Sequence, residues 1–283
     1  MTVPSHAAKA QEKIFGRRAV LEALLAGRRS IQKIILARGL KGHTFREIID
    51  EAEKLGIPIQ ECERKRLDVM AGTEHHQGIL AMAAAIADEG VAAILARAQL
   101  AREDPFILLA DGVTDPQNLG ALIRSAEAAG VHGVIVPDKR IAPVDRATAK
   151  ASAGAVEHVP VCHVGNMGQT ILRLKSEGMK IFAADADPGA ISLYEADFSG
   201  GVSIVIGSEG RGLSPVLKDR CDARIRIPMK GKLKSLNASA AAAVILFEVV
   251  RRRMGRSSPP VRHGSAGPMG VSGSHHRPSG FPL

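Results

Sequence analysis

Five short strand-like segments, residues 106–110, 133–136, 180–184, 203–206 and 224–227, recur through the second half of this 283-residue chain, mostly apolar except for the last, which alternates Arg and Ile. Helical stretches separate most of them, and this spacing limits the fold more than any other feature. A strand that is apolar on both faces has to be covered on both faces, and alternating helices supply that cover. The expectation is an α/β block over residues 105–255, with a largely parallel sheet and helices on both sides. Its last helix, 237–253, is almost purely Ala, Val, Ile, Leu and Phe before three arginines. So apolar a helix must be buried, either against the sheet or against a partner subunit.

Residues 13–86 alternate helix and strand on a smaller scale and read as a separate α/β module. The predicted elements are a helix at 17–25 ended by Gly27, a strand at 31–36, and a helix at 45–55 with Gly56 at its C-terminal cap. A short strand from Ile57, a helical piece at 67–71 and a buried strand at 78–85 follow. Residues 87–104 read as a charged, Ala-rich connector with one helix. The ends, 1–12 and 256–283, read as disordered tails, the second being rich in Gly, Pro and Ser.

Composition narrows the function classes. Three cysteines, Cys62, Cys162 and Cys221, lie far apart, giving no disulfide or zinc spacing and suiting a reducing compartment. The pair His75-His76 has no Cys or carboxylate at ligand spacing, so no metal is expected. No apolar run approaches the roughly 20 residues that span a bilayer, and residues 1–13 lack the apolar core of a signal peptide. A cytoplasmic protein is expected. The net charge of +9 is spread over both folded blocks and lost only in 87–104, which favours a polyanionic partner. Aromatic residues are only 3%, too few for a base-stacking platform.

Three motifs carry chemistry. The first follows strand 106–110: Asp115-Pro116-Gln117-Asn118-Leu119-Gly120, then Arg124. These residue types can simply start a helix, with Asp115 or Asn118 as cap. They also fall at the C-terminal end of a strand in an open α/β sheet, where ligands bind. The second, Gly207-Ser208-Glu209-Gly210-Arg211-Gly212, is a strand running into a glycine-rich turn. Its spacing is neither the dinucleotide fingerprint nor a Walker loop. The third runs from Ile227-Pro228 through Lys230, Lys232 and Lys234 to Ser235-Leu236-Asn237 at the start of the last helix.

In this order the motifs resemble the three signatures of the SpoU (TrmH-type) RNA 2′-O-methyltransferases, closest to the bacterial 23S rRNA guanosine 2′-O-methyltransferases. Residues 13–86 resemble the ribosomal-protein-like RNA-binding domain of that family, through Ile14-Phe15-Gly16 and His76-Gln77-Gly78-Ile79. The resemblance implies a C-terminal trefoil knot, which nothing in periodicity reveals, and a homodimer formed through the catalytic domain. It implies Arg124 as catalytic residue with Asn118, Glu209, Ser235 and Asn237 around it. It further implies an S-adenosylmethionine pocket contacted by Gly207, Ile227 and Leu236. Ala238 stands where Val is frequent and Lys234 where a small residue is common, but neither removes a polar catalytic group. Transfer RNA is the alternative substrate. A non-catalytic RNA-binding assembly factor is the alternative class, disfavoured because all four of Arg124, Glu209, Ser235 and Asn237 are intact.

Overall fold

The computed structural model describes residues 11–86, 88–144 and 146–257. In the N-terminal module four strands, β1 (Gln11–Phe15), β2 (Ile31–Ala37), β3 (Ile59–Cys62) and β4 (Ile79–Ala84), form a sheet in the order β1-β4-β2-β3. Only the β2–β3 pair is parallel. Successive residues of β2 point to opposite faces. Ile34 and Leu36 pack under α1 (Arg17–Ala26) and α2 (His43–Lys54), while Ile35 and Ala37 pack with Leu67 and Ala71 of α3 (Arg64–Ala71). The two segments singled out for RNA binding meet: the Arg17 backbone N–H donates to Gln77 Oε1 at 3.0 Å. The His76 side chain is wholly buried there, with Nε2 2.6 Å from Asp68 Oδ1 and Nδ1 accepting from the Gly78 N–H at 2.9 Å.

The second block is a seven-stranded sheet of order β7-β6-β5-β10-β8-β11-β9, parallel throughout. Its expected strands are β5 (Phe106–Ala110), β6 (Gly133–Pro137), β8 (Lys180–Ala184), β10 (Val202–Ile206) and β11 (Ala223–Arg226). Two more, β7 (Val161–Val164) and the two-residue β9 (Ile191–Ser192), escape sequence reading because they are short and mix polar with apolar residues. The sheet divides two cores. Phe106, Leu108 and Ala110 pack with α5 (Pro116–Ala128) and α9 (Ala238–Ser257). Ile107 and Leu109 pack with α4 (Val91–Ala101) and α7 (Met167–Ser176). The remaining helices are α6 (Arg146–Ala151) and α8 (Pro215–Arg220).

Two boundaries differ from the sequence reading. Gln11 and Glu12 belong to β1, because they pair with Ala84 and Ala83 of β4, and only residues 1–10 of the expected tail lie outside the described residues. At the other end α9 runs on to Ser257, since the first proline after it is Pro259; residues 258–283 lie outside the described residues. The connector holds its one expected helix, α4, and that helix packs into the core. Ile94 and Ala98 of α4 are fully buried against the sheet, and a Cβ on Gly133 would lie 2.5 Å from Ile94. Asp88, Glu89, Glu103 and Asp104 dominate the composition of that window and mask a short apolar stripe, Val91, Ile94 and Ala98.

The last helix is buried on one side only. Ala242, Ile245, Leu246 and Val249 face the core, whereas Val244 and Phe247 are exposed. No helix among the described residues is long and apolar enough to cross a membrane. Packing between α5 and α6 depends on one glycine. A Cβ on Gly120 would lie 2.4 Å from Ala151 Cβ and 2.8 Å from the Ser152 backbone nitrogen. Gly120→Ala is therefore expected to destabilise the fold by about 1–3 kcal/mol, since backbone has to shift; chemical denaturation measures it.

Candidate active site

The end of β5 starts the site. Asp111 N–H donates to Ile206 O at 2.9 Å, so the C-terminal ends of β5 and β10 are held side by side. After the turn, Asp115 caps α5, accepting from the Gln117 N–H at 3.1 Å, and Pro116 occupies the first helical position, where its missing N–H costs nothing. Asn118 is thereby fixed on the first turn of α5, half-buried, at the mouth of the sheet.

β10 delivers the second motif. The turn closes through Gly212 N–H donating to Ser208 O at 2.9 Å and Ser208 Oγ donating to Gly212 O at 3.3 Å. Gly207, buried at the foot of this turn, has no space for a side chain: a Cβ would lie 2.3 Å from the Gly212 carbonyl carbon and 2.5 Å from the Leu213 nitrogen. The tight turn lifts Glu209 above the strand ends.

The third motif joins the other two. Asn237 caps α9, its Oδ1 accepting from the backbone N–H groups of Ser239 at 2.9 Å and Ala240 at 3.2 Å. Ser239 Oγ donates to the same oxygen at 2.6 Å. With Oδ1 committed as acceptor, the Nδ2 group is turned the other way. It donates to Asn118 Oδ1 at 2.9 Å and to Glu209 Oε1. The Ala238 N–H also donates to Glu209 Oε1, at 3.4 Å. One side-chain amide thus links residues 118, 209 and 237, one from each of the three motifs. Donor–acceptor logic orients the rest: Asn118 presents its own NH2 outward, and Glu209 keeps Oε2 as an available acceptor.

The other expected site residues are less constrained. Arg124 is exposed six residues beyond Asn118 on α5, with no hydrogen bond or ion pair to the described residues. Ser235 is likewise exposed and stays outside the amide network. Ile227 lies just past β11 rather than in it, half-buried against the main core, and Leu236 is 41% exposed beside Asn237. Lys230, Lys232, Lys234 and Arg211 are all exposed around these loops.

Sequence reading passed over Asp111. Burial pushes its carboxyl above the usual range and nearby Arg140 opposes that shift. The signal was its position, the first polar residue after a wholly buried strand. Burial pushes the Cys162 and Cys221 thiols up to about 11, so neither is a ready nucleophile.

Comparison with known proteins places the chain in a family. Residues 105–247 match the SpoU rRNA Methylase family, and residues 13–88 match the family described as RNA 2′-O ribose methyltransferase substrate binding. A TrmH family tRNA/rRNA methyltransferase, YacO of Bacillus subtilis (strain 168), is 38% identical over 240 residues, covering 85% of this chain and 95% of that one. A similarly named protein of Staphylococcus aureus (strain COL) is 39% identical over 253 residues, covering 85% and 96%. Among solved structures, the SpoU methyltransferase AviRb from Streptomyces viridochromogenes, in complex with AdoMet, superposes with a TM-score of 0.72 at 25% identity, over 87% of this chain and 91% of that one. The chain belongs to the SpoU rRNA methylase family, the RNA methyltransferases that also carry the TrmH name.

Proposed function

We propose that this protein transfers the methyl group of S-adenosylmethionine to the 2′-hydroxyl of a guanosine ribose in 23S rRNA. The observation that carries the reading is the amide of Asn237 bound to both Asn118 and Glu209, one residue from each of the three motifs. A retired site has no physical need for a polar network this exposed. The cytoplasm, where RNA is modified, is its place of action.

The loops fit a nucleoside cofactor held by backbone. A Cβ at Gly210 or Gly231 would meet nothing within 4 Å, so the loops there leave space for a ligand to approach the backbone closely. Gly207, Ile227 and Leu236 are the residues that would hold S-adenosylmethionine, which when bound supplies an electrophilic methyl group on sulfur. Threading of the 207–213 and 227–237 loops into a trefoil knot belongs to the same reading. Support comes from β10, which enters between β5 and β8, and from Asn237 reaching back to the first motif.

The chain's own residues then orient the hydroxyl and take its proton. Arg124 is free to grip a substrate phosphate bidentately, and as a guanidinium it is a poor base. Glu209 Oε2 is the better-placed proton acceptor, with the Asn237 amide holding its other oxygen. Asn118 and Ser235 add hydrogen bonds to the ribose. Arg124→Ala is expected to lower kcat by about 10²-fold or more while S-adenosylmethionine binding survives. Calorimetry showing lost cofactor binding in that variant would contradict the assignment.

A homodimer formed through the catalytic block accompanies this reading, supported by the exposed Val244 and Phe247 on α9. The relatives named for both tRNA and rRNA keep transfer RNA as the second substrate. Incubating the protein with methyl-labelled S-adenosylmethionine and either unmodified 23S rRNA or tRNA separates the two. Label confined to tRNA keeps the chemistry and overturns the substrate.

A further inference from the structure

The RNA-binding module is bolted to the catalytic block through buried charge. Arg29, between α1 and β2, has a side chain only 4% exposed, and its partner Glu157, in a 3₁₀ turn (Ala155–Glu157) after α6, is 1% exposed. Arg29 Nε donates to Glu157 Oε2 at 2.8 Å, and Nη2 donates to Glu157 Oε1. The remaining nitrogen, Nη1, reaches back to Glu12 Oε2 at 2.7 Å. The arginine therefore ties the module's own edge strand to the other domain. His158 Nε2 lies 2.9 Å from Glu22 Oε2 beside it. Arg28 pairs with Glu89 at 2.7 Å, which Arg97 of α4 also holds. Burial pushes the Glu89 carboxyl up, but hydrogen bonds from Arg97 and Arg28 outweigh that and hold it below its ordinary value.

The backbone between is equally committed. Ala153 and Gly154 both have left-handed φ, 52° and 93°, and a Cβ on Gly154 would lie 2.7 Å from Glu22 Cβ of α1. A non-glycine residue held in that region signals a constrained segment. The same short stretch begins at Ala151 and Ser152, which press on Gly120 of α5. Gly120 lies two residues after Asn118 and four before Arg124. Residues 151–158 thus touch the catalytic helix on one side and the RNA-binding module on the other.

We propose that Arg29, Glu157, Glu22 and His158 are positioning residues that lock the module at a fixed offset from the catalytic network, so that the offset selects which ribose is methylated. Breaking a charge pair this buried leaves an uncompensated ion, so the lock does not loosen in ordinary salt. The inference rests on the ribose-methylation reading above.

The test maps the labelled riboses of unmodified 23S rRNA after reaction with methyl-labelled S-adenosylmethionine, using the full chain, Glu157→Gln and Glu22→Gln. The lock predicts one labelled ribose for the parent protein and additional riboses for the variants. At saturating RNA, total turnover stays within about threefold, because the catalytic groups are untouched. A merely structural pair would lower stability and rate without moving the label. Label restricted to the parent's position in both variants, or in Glu22→Gln alone if Glu157→Gln fails to fold, would overturn the proposal. Small-angle scattering of the parent protein tests the rigid docking without activity. A particle of constant radius from low to high salt supports the lock, and one that expands refutes it. Absence of any RNA methylation by the parent, with constant radius, sinks the ribose-methylation reading and leaves the lock standing.

Discussion

Asn237→Asp is expected to lower kcat by about 10²–10³-fold while the thermal midpoint hardly moves. The two effects separate because Asn237 does two jobs with opposite ends of one amide. Its Oδ1 caps α9 by accepting from Ser239 and Ala240. A carboxylate caps equally well and is favoured by the helix dipole. Its Nδ2 donates to Asn118 and Glu209, and a carboxylate has nothing to donate there. Two carboxylates so close share a proton, which on the proposed mechanism removes the acceptor for the ribose hydroxyl's proton. Activity of the variant should recover in part as pH rises and that proton leaves. Asn237→Ala makes the contrast: it loses cap and bridge together, costing about 1 kcal/mol of stability as well as the rate. Steady-state kinetics beside a melting curve distinguish the two. A fully active Asn237→Asp enzyme would mean that the bridge has no catalytic part.

Gly207→Ala is expected to weaken S-adenosylmethionine binding by at least about 10²-fold, because displacing the turn by even 1 Å is enough to spoil a site of this kind. A single methyl has nowhere to go. Its neighbours, the Gly212 carbonyl carbon and the Leu213 nitrogen, are backbone, and no side chain can swing away to make room. The turn would open, carrying Glu209 away from Asn237 and, on the proposed reading, displacing the loop that would face the cofactor. Gly231→Ala is the control. A Cβ there meets nothing within 4 Å, so any loss of binding reports direct ligand contact rather than a rebuilt loop. Calorimetric titration of both variants measures the difference.

The sheet was legible because its central strands are apolar on both faces, and Phe106 through Ala110 are buried without exception. The first two motif positions were legible because each follows the end of such a strand, and the third because its lysine-rich loop leads into a small-residue helix start after β11. Period counting cannot reveal strand order. β10 comes late in the sequence yet pairs with β5 and β8, an arrangement set by tertiary packing rather than by local pattern. For the same reason the reading could name Asn118, Glu209 and Asn237 but not the amide that joins them, since Asn118 and Asn237 are 119 residues apart. The role of α4 was hidden by charge at its ends, and that of Arg29 by its resemblance to any surface arginine beside a glycine turn. A buried arginine has no sequence signature of its own, because its partner Glu157 is 128 residues away.

The most direct test of the account is the chemical position of the transferred methyl group. The purified protein is incubated with methyl-labelled S-adenosylmethionine and unmodified 23S rRNA, alongside Arg124→Ala, and the RNA is digested to nucleosides. The account predicts label in 2′-O-methylguanosine for the parent protein and almost none for the variant. Label on a base, or equal label from Arg124→Ala, would contradict it.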